Sequence, residues 1–97
     1  MSKSYKRIEA VRKAGEILKH LAYVKEPITG ADIAKAVDLP VGTVMCHMAT
    51  LEDLGFVQGV GDKWKLGMGL ALIWARVKSS LEADRQRIED NLKGLEG

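Results

Sequence analysis

Apolar residues recur at helical spacing along the first part of the chain. Ile8, Val11, Gly15, Leu18 and Leu21 fall on one face, with Ala14 and Ala22 beside them. Arg7, Arg12, Lys13, Glu16 and Lys19 fall mainly elsewhere. The spacing predicts a helix over residues 4–24 with Ser4 as its N-cap. Glu26-Pro27 stops it, because proline lacks an amide hydrogen and restricts the residue before it. Thr29-Gly30-Ala31-Asp32 is a capping-box variant that opens a short helix through Val37, with Ile33, Ala34 and Val37 inward. Asp38-Leu39-Pro40 is a turn, with the proline suited to begin the next helix. A third helix runs from about Val41 to Leu54. Val44, Met48 and Leu51 form its inward stripe, extended by His47 and Leu54, and Gly55 ends it.

The period then changes. Phe56-Val57-Gln58 and Lys63-Trp64-Lys65-Leu66 read as short strands, with Gly59, Gly61 and Asp62 supplying the turn. Alternation puts Trp64 and Leu66 on one face and Lys63 and Lys65 on the other. From Met68 the pattern is helical nearly to the end. Leu70, Trp74, Val77, Leu81, Asp84 and Ile88 recur at alternating four- and three-residue steps, a coiled-coil seam with a polar break. Leu92 and Leu95 extend it. The predicted architecture is mainly α with a small β-hairpin wing: a winged helix-turn-helix over residues 1–67 and a long C-terminal helix over residues 68–97.

Charge sharpens this picture. Residues 1–25 hold seven bases and two acids, residues 26–62 one base and six acids, and residues 63–97 seven bases and five acids. The segment expected to read DNA is therefore acidic, with Lys35 its single base. Positive charge lies at the amino end (Lys3, Lys6, Arg7, Arg12, Lys13), on the wing and on the last helix. No apolar run is long enough to span a membrane, and no apolar segment follows the basic start as in a secretory signal. The single cysteine, Cys46, forms no internal disulfide, so a cytoplasmic location is expected.

Candidate chemistry is sparse. Cys46 and His47 are neighbours, but adjacent helical residues point about 100° apart and poorly share a ligand. His20 is the other histidine, so neither a zinc set nor a catalytic triad can be assembled. Gly59-Val60-Gly61 is a turn and not a phosphate loop. No enzyme, metal site or cofactor is expected.

Leu39-Pro40 followed by Thr43-Val44, Ala49-Thr50-Leu51-Glu52, Leu54-Gly55-Phe56-Val57 and the ending Trp64-Lys65-Leu66-Gly67 together resemble the DNA-binding domain of the isocitrate-lyase-regulator (IclR) family of bacterial transcription factors. The likeness covers roughly residues 5–75. It implies a winged helix-turn-helix and a regulator of transcription. Family recognition helices typically begin Pro-Lys-Ser-Thr, with an arginine three residues after that threonine. Here Val41, Gly42 and Cys46 stand at the Lys, Ser and Arg positions. The matched Pro40, Thr43 and Val44 concern turn and packing. Family members normally carry a large effector-binding domain as well. These 97 residues hold no counterpart, so no small-molecule effector is inferred.

The expected partner is duplex DNA. Thr29, Val41, Gly42, Thr43, Met45 and Cys46 are the candidate contacts of the helix-turn-helix, Lys63 and Lys65 those of the wing, and Lys6 and Arg7 those of the amino-terminal arm. Arginine, asparagine and glutamine, the usual bidentate base readers, are missing from the third helix, so discrimination is expected to lean on DNA shape. Trp74, Val77, Leu81, Ile88 and Leu92 are expected to join two copies into a homodimer, with Trp74 near the winged domain. The alternative is a protein-interaction module, or a DNA-guiding subunit of a larger complex, with little DNA affinity of its own.

Overall fold

Helix α1 (Glu9–Tyr23) begins later than the apolar pattern predicts. In the computed structural model, which describes residues 4–96, the segment 4–8 has no regular structure. Ile8, in an extended conformation, is the N-cap in place of Ser4. Charge accounts for this: Lys6 and Arg7 would oppose the positive end of a helix, whereas Glu9 complements it. The buried face also differs. Ile17, absent from the predicted stripe, is 0 % exposed, while Ile8 is 67 % exposed. Leu21 is buried, Ala14 and Leu18 half-buried, and Val11 and Ala22 exposed. Helix α1 packs on α2 (Gly30–Val37) and the sheet, while Val11 lines an open apolar cleft with Leu51, Leu54 and Phe56, and Ile8 precedes the first turn of α1.

The predicted capping box opens α2. Thr29 Oγ1 accepts from the Asp32 amide at 3.1 Å, and Asp32 Oδ2 accepts from the Thr29 amide at 3.3 Å. Ile33, Ala34 and Val37 are buried as expected. Helix α3 (Val41–Asp53) buries Val44, Met48 and Leu51. Leu54, expected on that stripe, is 57 % exposed. It is the helix C-cap, past the last turn that faces the core. Gly55 follows at φ 78°, and the Phe56 amide closes back on the Leu51 carbonyl at 2.9 Å. Ile33, Ala34, Val37, Val44, Met48 and Leu51, with Ile17, Leu21 and Val57, form the core, and Ala14, Leu18, Ile28, Leu39, Phe56, Trp64 and Leu66 pack around it.

The sheet has three strands where the alternation predicts two. Ile28–Thr29 forms β1, too short to show a period of two, and the order is β1-β3-β2 with antiparallel pairing. Strand β2 (Val57–Val60) starts a residue late and includes Gly59, a turn residue by the sequence pattern. Gly59 stands opposite Trp64, and a Cβ there would lie 3.6 Å from Trp64 Cζ3, so the indole lies against the glycine. Strand β3 (Lys63–Leu66) keeps its predicted bounds and faces, and Gly61 at φ 64° makes the hairpin turn.

Gly67 and Gly69 bring the chain over the Gly55 turn. The Gly69 amide donates to the Gly55 carbonyl at 2.8 Å. A Cβ on Gly67 or Gly69 would lie 2.5 or 2.7 Å from that oxygen, inside any real contact. Helix α4 (Gly69–Glu96) starts from this clamp. Leu70 is half-buried, and every residue from Ala71 to Leu95 is exposed. Trp74, expected near the winged domain, is 59 % exposed and joins no core. The radius of gyration is 19.2 Å, against about 13 Å for a compact chain of 100 residues. A projecting helix of about 42 Å accounts for that excess.

Candidate nucleic-acid interface

Three local devices set the angle of α3. Asp38, in the left-handed region at φ 56°, turns the chain out of α2, and the Leu39 amide closes on the Ala34 carbonyl at 3.1 Å. Leu39 packs on the core, and Pro40 is the N-cap of α3. From the other side, Lys13 Nζ donates to the Val37 carbonyl at 2.7 Å and approaches Glu16 at 3.4 Å. A lysine at the negative end of α2 is electrostatically favourable. Lys13, grouped by sequence with the basic arm, is thus a brace between α1 and α2.

With Val44, Met48 and Leu51 inward, α3 presents Val41, Gly42, Thr43, Met45, Cys46, Ala49 and Thr50 to solvent. Glu52 and Asp53 close its last turn, also exposed. Two polar groups on the helix are occupied by its own backbone. Thr50 Oγ1 donates to the Cys46 carbonyl at 3.0 Å, and His47 Nδ1 lies 2.9 Å from the Thr43 carbonyl. His47 Nε2 is buried with no hydrogen-bond partner among the described residues, so this ring belongs to the edge of the core. Among the described residues, no group of three His, Cys, Asp or Glu side chains could hold a metal ion.

The sequence-predicted contacts fall into separate groups. Val41, Gly42, Thr43, Met45 and Cys46 are all exposed on α3, but Met45 lies against Gly30 of α2 whereas Cys46 lines an apolar cleft with Ala10, Val11 and Ala14 of α1. The Thr29 hydroxyl is engaged in the capping box, and its backbone pairs with Lys63. Lys63 and Lys65 are exposed on the face of β3 opposite Trp64 and Leu66. Lys63 has a partner strand on both sides, so it does not serve to blunt a sheet edge. Lys6 and Arg7 lie in the irregular segment before α1, where Arg7 Nη1 donates to the Tyr5 carbonyl at 2.8 Å. Lys3 falls outside the described residues.

The model of the IclR helix-turn-helix domain matches residues 10–61, more than half of the chain. The chain belongs to the IclR helix-turn-helix family. The match takes in α1, α2, the turn, α3 and the first strand of the wing. The family is one of DNA-binding helix-turn-helix domains with a role in regulating transcription, and it is not a family of enzymes. No curated protein matches the chain. No helix among the described residues of this IclR-family chain is long and apolar enough to cross a membrane.

Sequence reasoning missed one residue behind the candidate interface. A Cβ on Gly30, the buried first residue of α2, would lie 2.7 Å from Met45 Sδ. The thioether of Met45 is therefore seated over the start of α2. The available signal is a glycine directly after an N-cap, where any good helix former would serve unless a neighbour came close.

Proposed function

We propose that this IclR-family chain binds duplex DNA in a sequence-dependent way and regulates transcription, working in the cytoplasm as a homodimer. Helix α3 enters the major groove through its amino-terminal turns, and the wing lies on the flanking backbone. The observation that carries this reading is the outer surface of α3 within a family-matched helix-turn-helix. Val41, Gly42, Thr43, Met45 and Cys46 are exposed in its first turns, while Val44, Met48 and Leu51 are buried in the core. Lys63 and Lys65 are the phosphate contacts of the wing, Lys6 and Arg7 those of the arm, and Thr43 adds a hydroxyl at the start of α3. Glu52 and Asp53 oppose close approach of the last turn to phosphate, so the helix enters amino end first. The homodimer reading rests on α4, whose Trp74, Val77, Leu81, Ile88 and Leu92 are all exposed.

A salt series tests the reading. Replacing Lys63 and Lys65 by alanine should weaken binding to all duplexes alike. It should also flatten the dependence of log affinity on log salt by about 0.9 for each phosphate no longer neutralised. An unchanged slope removes the wing from the interface.

The acidity of residues 26–62 favours a second reading, a protein-interaction module or DNA-guiding subunit on the same scaffold. On that reading the chain alone retains no duplex at low salt and binds only with a partner protein.

A further inference from the structure

We propose that α3 recognises thymine by its 5-methyl group, with Met45 and Val41 as the reading side chains and Gly30 as the residue that positions Met45. The inference rests on the DNA-binding reading above and names the base that reading leaves open.

The outer surface of α3 has little with which to read hydrogen bonds. Of its exposed groups between Val41 and Thr50, the Thr50 hydroxyl is spent on the Cys46 carbonyl. What remains polar is the Thr43 hydroxyl and the Cys46 thiol, neither of which can make the bidentate contacts that identify guanine or adenine. Val41 and Met45, a turn apart on one side of the helix, are 47 % and 42 % exposed. Such side chains in a major groove displace water from whatever base edge they meet. Against guanine, cytosine or adenine edges they leave donors or acceptors unpaired, which is costly. Against thymine they meet the methyl group, the apolar feature of the groove, which also shields part of the edge beside the O4 acceptor. Discrimination thus arises from the penalty for other bases together with the gain for a methyl.

A long, flexible methionine discriminates poorly unless something holds it. Gly30 provides the seat: Met45 Sδ lies where a Cβ on residue 30 would be 2.7 Å away, and Met45 Cγ would be 3.9 Å from that Cβ. Gly30 is buried at the start of α2, whose capping box fixes that end. The reading side chain therefore rests on a rigid floor, and any side chain at position 30 must push it aside.

The test uses the wild-type chain and a duplex selected from a random library by binding to it. Each thymine is replaced in turn by deoxyuridine, which removes the methyl and leaves every Watson–Crick and groove hydrogen-bonding group in place. At one or more thymines the loss should be about fourfold, the factor for burying one methyl-sized group. Where such a thymine is exchanged for cytosine, 5-methylcytosine should bind better than cytosine. In Met45→Ala the thymine-to-uracil difference should vanish at one of these positions. In Gly30→Ala, which keeps the methionine, it should shrink there while circular dichroism stays that of the wild type. Equal binding of thymine and uracil at every position in the wild type overturns the inference and leaves the DNA-binding reading standing. Discrimination that survives in both Met45→Ala and Val41→Ala overturns the residue assignment. Failure of the wild type to retain any duplex overturns the inference and the reading beneath it together.

Discussion

Ile17 and Ile8 are the same residue type on one helix, and their surroundings are opposite. Ile17 is enclosed between α1, α2 and α3 with the other core residues, whereas Ile8 caps the helix in solvent. Ile17→Ala should cost about 2–5 kcal/mol in urea unfolding, the range for truncating a buried aliphatic side chain. Ile8→Ala should stay within about 0.5 kcal/mol, as exposed substitutions do. The reverse order would mean that α1 is rotated about its axis. The stripe predicted from sequence runs through Ile8, Val11 and Leu18, because periodicity reports which residues are apolar and not how far the partner surface extends. In α2, and in α3 as far as Leu51, the partner surface follows the apolar face, and there Ile33, Val37, Val44, Met48 and Leu51 were all legible, whereas Leu54 was not. The Gly30–Met45 contact was not, because it joins two elements across a turn, and the glycine after the N-cap marks only one side of it.

At the scale of elements, the legible features are those with local causes. The capping box at Thr29 and Asp32, the break at Pro27 and the left-handed Gly55 each follow from a few adjacent residues. Thr29→Ala removes the side-chain acceptor of the Asp32 amide and should lower unfolding stability by about 1 kcal/mol, the usual cost of losing a cap. The unread features depend on pairing at a distance. Strand β1 exists only because Ile28 and Thr29 meet Trp64 and Lys63. The passage into α4 depends on Gly67 and Gly69 crossing the Gly55 carbonyl, and no turn motif in the sequence announces it. Gly69→Ala forces a Cβ against backbone and cannot be relieved by a side-chain rotation. It should therefore loosen the clamp, and amide hydrogen exchange at residues 67–70 should accelerate relative to the core helices. Unchanged protection there would show that the clamp does not hold the start of α4.

Across the whole molecule, the dominant fact is a helix of 28 residues with almost no intramolecular packing. In proteins most helical stability comes from packing of an apolar face, and the proposed homodimer would supply α4 with the surface its own chain does not. Each leucine or isoleucine left exposed forgoes roughly 1.5–3 kcal/mol that burial would give. Asp84, the polar break in the seam, pairs with Arg87 on the same helix, so its charge is balanced locally. The chain should therefore sediment as a dimer at micromolar concentration. Leu81→Asp combined with Ile88→Asp should yield a folded monomer with weaker affinity for two-fold sites, because half-sites are no longer held together. A wild-type chain that sediments as a monomer would remove α4 as an oligomerisation element.

On the proposed reading, the chain binds duplex DNA in a sequence-dependent way through the exposed residues of α3. The most direct measurement is selection of fragmented genomic DNA and random duplexes by the wild-type chain at low and moderate salt, followed by sequencing of what is retained. Binding that survives moderate salt and enriches one two-fold or half-site motif, with Met45→Ala changing its composition, is the predicted result. Retention of no duplex at low salt, or retention of every sequence equally, would contradict it.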